Sequence, residues 1–151
     1  MTINDAISFF ESLLKRTDKK SEIKIYKDFI TILSNLKYRE LTEQQYQSIE
    51  NELKVLDLKS NFENKKRHFS KKLTAFKKYL KEELSLISEG YYTTFGMSLG
   101  MSLGVAIGAS FGESTGIALG ISLGMLIGLA IGRNKDAEAK KEGRVLKTNL
   151  L

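Results

Sequence analysis

The sequence has no cysteine, no proline and no tryptophan, and the first of its 12 glycines is residue 90. Without cysteine there is no disulfide framework and no thiolate metal site. Without proline, and without glycine ahead of Gly90, no helix-breaking residue interrupts the first 89 positions. His68 is the single histidine, so a pair of imidazole metal ligands has no second member, and His68 reads as a surface residue. No G-x-S-x-G elbow, Walker-type loop or H-E-x-x-H helix occurs. These absences point to a protein that is not an enzyme and has no cofactor, no metal and no small-molecule substrate. The opening stretch MTINDAISFFESLLKR lacks a basic segment followed by an apolar run. No cleaved signal peptide is therefore expected, and any membrane insertion would use an internal segment.

Charge is missing from one region. Residues 1–89 hold 18 Lys/Arg and 14 Asp/Glu, residues 90–132 hold only Glu113, and residues 133–151 hold six basic and three acidic residues. The net charge of +6 thus divides into +4, −1 and +3 along the chain. An apolar block between basic flanks fits a membrane protein better than a nucleic-acid binder.

Before residue 90 the apolar spacing is helical. Thr2 and Asp5 suit the start of a first helix carrying Ile3, Ala6, Ile7, Phe10, Leu13 and Leu14 on one face. After a polar break at Thr17–Lys20, a second helix from about Ser21 would bury Ile23, Tyr26, Phe29, Ile30, Leu33 and Leu36. Thr42 and Gln45 form a capping box for a third, with Tyr46, Ile49, Leu53 and Leu56 inward. Asn61 with Asn64 opens a fourth, bearing Phe69, Leu73, Phe76, Leu80, Leu84 and Ile87 and running toward the glycine region. The predicted fold class is all-α, with a Lys-rich helical head over 1–89, a helical hairpin over 90–133 and a polar tail over 134–151 whose short helix frays after Gly143.

What dominates the second part is a row of ten glycines at every fourth position: Gly96, Gly100, Gly104, Gly108, Gly112, Gly116, Gly120, Gly124, Gly128 and Gly132. Glycine costs roughly 1 kcal/mol in a helix relative to alanine. Close helix–helix approach, the small-xxx-small device of membrane helices, is the usual return. Two positions after most glycines stands a second small residue, among them Ser98, Ser102, Ser110 and Ser122. Two small faces allow two close neighbours per helix and favour self-association. A four-residue period winds with right-handed sense, with crossings of the steep right-handed class.

A single helix from Gly96 to Gly132 would reach about 55 Å against a hydrocarbon core of about 30 Å. Two halves of about 25 Å each fit better, and the polar cluster Glu113-Ser114-Thr115 lies at the centre. The predicted turn is near 112–116. Basic flanks at both outer ends place both termini in the cytoplasm of a bacterial inner-membrane protein. The second half holds nine strongly apolar residues, whereas the first carries three serines and inserts poorly alone. A cytoplasmic protein whose hairpin packs on itself or on other copies in water is the alternative. Glu113 reads either as a polar turn residue or as part of a pore mouth.

Ahead of the block runs the basic series Lys65, Lys66, Arg67, Lys71, Lys72, Lys77, Lys78 and Lys81. It suits anionic lipid headgroups or a solvated helix face. Phe69, Phe76 and Tyr79 interleave with it at core spacing, which makes nucleic-acid binding the weaker reading. Tyr91 and Tyr92 stand where an interfacial aromatic anchor belongs.

The stretch GMSLGMSLGVAIGASFGESTGIALGISLGMLIGLAIGRNKDAEAKKEGRVL resembles the small bacterial glycine-zipper proteins, in particular those of Bacteroidota type with a helical, Lys-rich N-terminal part. LISEGYYTTFG in the head resembles the same group. The resemblance implies a small membrane-associated protein, with itself and membrane lipids as partners, and, by analogy with other glycine zippers, a homo-oligomeric pore.

Overall fold

Two helix starts are fixed by reciprocal caps. The Thr2 hydroxyl accepts from Asp5 N at 3.1 Å while Thr2 N donates to the Asp5 carboxylate, also at 3.1 Å. Thr42 and Gln45 repeat the arrangement at 2.9 and 3.3 Å. These boxes open helices α1 (Ile3–Leu14) and α3 (Glu43–Val55) in the computed structural model, which describes residues 1–58, 64–111 and 114–147. Between them lies α2 (Lys20–Lys37), and α4 (Lys65–Leu84) follows, its start capped by Asn64 Oδ1 accepting from Arg67 N at 3.1 Å. Asn61, also expected at this start, lies outside the described residues. Two long helices, α5 (Tyr91–Ala109) and α6 (Ser114–Lys141), complete an all-α fold. Two-residue strands β1 (Ile87–Ser88) and β2 (Val145–Leu146) pair into a minimal sheet.

The chain divides into two compact units, Met1–Ile87 with the segment from Leu146 onward, and Ser88–Val145. The first is a four-helix head. Its centre is aromatic: Phe10 stacks on Phe29 at 4.2 Å, while Phe69 meets Phe10 edge-on at 5.6 Å and Tyr26 at 5.4 Å. Each such pair adds about 0.5–1.5 kcal/mol beyond area burial. Ile32, Leu33, Leu36, Ile49, Leu53, Phe76 and Leu80 close the core around them. Leu56 is also buried, and Ile7, Leu13, Leu14, Ile30, Tyr46 and Leu84 pack partly buried at its edge.

Some expectations for the head are corrected. Ile23 is only half-buried, and the neighbouring Glu22 is buried instead. Its carboxylate accepts from the Thr17 hydroxyl at 2.8 Å and lies 3.6 Å from Lys19 Nζ. A buried carboxylate persists only with such partners, and the short α1–α2 connection supplies them. The fourth helix does not run on toward the glycines. It stops at Leu84, where Ser85 adopts the left-handed conformation (φ 55°) and Leu86 N reaches back to Leu80 O at 2.9 Å. Leu86 then enters the core, and Ile87 belongs to β1.

Nor is the tail a fraying appendage. α6 continues unbroken across Arg133 to Lys141. After a left-handed Gly143 (φ 68°) the chain becomes extended, and Leu146, 1% exposed, joins the core of the head. Asn35 holds the next residue from both sides, donating to Lys147 O at 3.3 Å and accepting from Lys147 N at 3.4 Å.

Candidate functional site: the glycine-faced helix pair

α5 and α6 lie side by side and antiparallel, and the register is written in the glycines. Gly96 faces Gly128, Gly100 faces Gly124, Gly104 faces Gly120 and Gly108 faces Gly116. A Cβ on almost any of these would fall within 3.0 Å of the carbonyl group opposite. That distance is one real Cβ atoms do not occupy, and the obstacle is backbone, which has no rotamer to change. Gly132 meets Tyr92 O and Thr93 Cα in the same manner. Hydrogen-only positions are thus required along the seam.

Contact stays equally close from Gly96 to Gly108, about 18 Å of helix. Straight helices crossing steeply would part over that distance, so the steep crossing expected from the glycine period does not describe this seam.

The open end of the pair is fastened by Asp136. Its carboxylate accepts from Tyr92 N at 3.0 Å and from Thr93 N at 2.8 Å, capping α5 from a residue on α6. Gly90, at φ 71°, provides the left-handed entry into α5 without a side-chain cap of its own. Tyr91 lies 5.3 Å from Tyr92 and stacks on Phe95 at 6.3 Å, forming an aromatic group at the same end.

With the glycines turned inward, the bulky residues turn outward. Leu99, Leu103 and Ile107 on α5, Phe111 just beyond its end, and Leu119, Leu123, Ile127 and Ile131 on α6 are each between 50% and 74% exposed. They all stand three positions after a glycine. In the rows one position after a glycine, Met97, Ile121, Met125 and Leu129 are half-buried, while Met101, Val105 and Ile117 are 37–42% exposed. An internal repeat produces this two-faced slab: residues 96–111 and 116–131 match with an offset of 20, glycine on glycine and bulky on bulky. In an antiparallel pair such a repeat carries each row onto the same face. The protruding rows and their symmetry are legible in the sequence once the offset is sought.

The serines are already satisfied. Ser98, Ser102, Ser110 and Ser122 donate to the carbonyls of Thr94, Ser98, Ala106 and Ala118 at 3.0, 2.9, 3.3 and 2.9 Å, all four residues back. A hydroxyl so used can face an apolar medium without an orphaned donor. Gly112 and Glu113 lie outside the described residues, as does the side chain of Ser114. Thr115 begins the helix segment Thr115–Lys141, which among the described residues is the one long and apolar enough to cross a membrane by length and composition. α5 does not meet that measure on its own, in keeping with its serine content.

The basic series sorts into two sets. Lys65, Lys66, Arg67, Lys71, Lys78 and Lys81 are exposed, whereas Lys72 and Lys77 flank the core half-buried, Lys77 lying 4.0 Å from Asp28. His68 is half-buried edge-on to Phe69 at 5.1 Å, and burial followed by the nearby Lys72 lowers its pKa. Among the described residues no group of three His, Cys, Asp or Glu is placed to hold a metal ion. Comparison with protein-family models, with curated proteins and with solved structures returned no match.

Proposed function

We propose that the chain is a non-enzymatic bacterial membrane protein whose α5–α6 pair is a glycine-zipper hairpin embedded in the bilayer. The observation that carries the reading is the outward-turned apolar surface of the pair. Eight large aliphatic and aromatic side chains stand half or more exposed, while every hydroxyl among the four serines is bonded internally. Water is a poor solvent for such a surface, and patches of this kind mark membrane or protein contact. Length agrees: the 19 residues of α5 span about 28 Å, close to the hydrocarbon core. Lys/Arg residues near both outer ends of the pair put those ends on the cytoplasmic side by the positive-inside rule.

Because the glycine rows are occupied within the chain, contact between copies falls to the outer Ser/Ala rows, Ser98, Ser102 and Ser110 on α5 and Ser122 on α6. Their small side chains let helices of neighbouring copies approach closely. A homo-oligomeric assembly, and a pore as its most concrete activity, is the function assigned to this arrangement. A soluble scaffold is the competing reading, favoured by the serine content of α5, and it buries the same apolar rows against other copies in water.

The natural sequence lacks cysteine, so single cysteines report directly on this. In membranes, cysteines at Leu103 or Leu123 are expected to resist a membrane-impermeant maleimide while one at Lys135 reacts. Equal reaction at all three would remove the bilayer reading. Oxidative crosslinking of Ser102→Cys between copies tests the assembly.

A further inference from the structure

One face of α4 is strongly basic. The helix turns its aromatic residues inward, with Phe69 and Phe76 in the core and the Tyr79 hydroxyl against Ser48. On the opposite side Arg67, Lys71, Lys78 and Lys81 are exposed. At 100° per residue these four fall within an arc of about 80° and extend over about 21 Å. Ser70 and Thr74 fill the row between them. The stripe is a straight line of cations on a convex helix face.

Helix stability accounts for only part of it: Lys78 lies 3.8 Å from Glu82, a favourable i,i+4 pair. The first turn of α4 is Lys65, Lys66 and Arg67 and contains no acidic residue, although the positive end of the helix dipole favours carboxylates there. Arg67 and Lys71 form a like-charged i,i+4 pair, which is unfavourable in an isolated helix. It is the N-terminal half of the stripe, Arg67 and Lys71, that breaks these local rules, and such residues are candidates for another purpose.

We propose that this stripe docks the head on an anionic bilayer surface, with the phosphate groups of acidic phospholipids as its ligands. A flat row of exposed cations fits a plane of headgroups, to which Lys and Arg bind through charge. Single-stranded nucleic acid is disfavoured because the aromatic rings that would stack on bases are in the core. The choice of partner rests on the membrane reading above, but the docking itself is measured separately from hairpin insertion.

The test uses the full chain and flotation with phosphatidylcholine vesicles, with and without phosphatidylglycerol. The wild-type protein is expected to prefer the phosphatidylglycerol vesicles and to lose that preference at high salt. The variant R67Q/K71Q/K78Q/K81Q should lose it by roughly fivefold for each cation removed. All four side chains are exposed, so an unchanged helical circular-dichroism melt is the control. If that variant melts early, K71Q/K81Q reads half of the effect in an intact head. Equal binding to the two vesicle types, or an unchanged preference in a folded variant, overturns the proposal. So does tighter salt-sensitive binding to RNA or duplex DNA than to the acidic vesicles. Acidic-lipid preference in a protein that carbonate strips from membranes would retain the docking and reject the hairpin; carbonate resistance with no lipid preference would do the reverse.

Discussion

At Gly104 the difference between a hydrogen and a methyl group decides whether two helices can touch. The missing Cβ would lie on the carbonyl of Gly120, and neither backbone can yield without opening the seam. Gly104→Ala gains about 1 kcal/mol of helix propensity and incurs overpacking of about 1–3 kcal/mol or more. The expected net result is a looser pair, read as faster amide hydrogen exchange in α5 and α6. Ser102→Ala faces outward and should leave that exchange within about 0.5 kcal/mol of the parent; equal effects of the two would mean the seam is not close-packed. Tyr26 offers a residue-scale test in the head. Burial first, then the Glu22 charge and hydrogen bond, push its pKa from 10.0 up to about 12. The folded head therefore holds this proton more tightly than the unfolded chain, so stability falls as pH rises from about 10 to about 12. An absorbance titration of the tyrosinates should show one late component, absent in Tyr26→Phe.

At the scale of the element, the starts of α1 and α3 were plain in the sequence, whereas the end of α4 and the cap on α5 were not. Thr2/Asp5 and Thr42/Gln45 are local patterns whose hydrogen bonds span three residues, and both boxes form. The end of α4 depends instead on Ser85, a non-glycine residue in the left-handed region, held there because Leu86 gains a place in the core. No local signal announces that exchange. The cap on α5 is equally hidden, since Asp136 is 44 residues from Tyr92 in sequence. Two bonds to a charged acceptor contribute about 1.5–3 kcal/mol each at most. Asp136→Ala should therefore expose the Tyr92 and Thr93 amides to exchange and fray the first turn of α5, leaving exchange in the four head helices unchanged. Protection of those two amides in the variant would mean that Gly90 and the helix start need no partner from α6.

Across the whole molecule, the sequence separates into a part whose apolar residues are buried and a part whose apolar residues are not. In the head, Phe10, Tyr26, Phe29, Leu33, Leu36, Phe69 and Phe76 appear at helical spacing and occupy the core, because a 3.6-residue period and a single buried face agree. In the helix pair the period is four and glycine takes the inner face, so the bulky residues are left outside. That inversion is what the row of glycines encodes, and it was readable from spacing alone. Leu146 was not, because one leucine in a polar tail gives no periodicity from which its place in the head could be inferred. On the proposed membrane reading the bilayer would surround the inverted pair over the matching thickness. The most direct measurement is fractionation of cells producing the full chain, followed by an alkaline carbonate wash of the membrane pellet. Retention in the washed pellet is the result expected of an integral helix pair. Release into the supernatant would contradict it and leave the exposed rows to be covered by other copies of the chain in water.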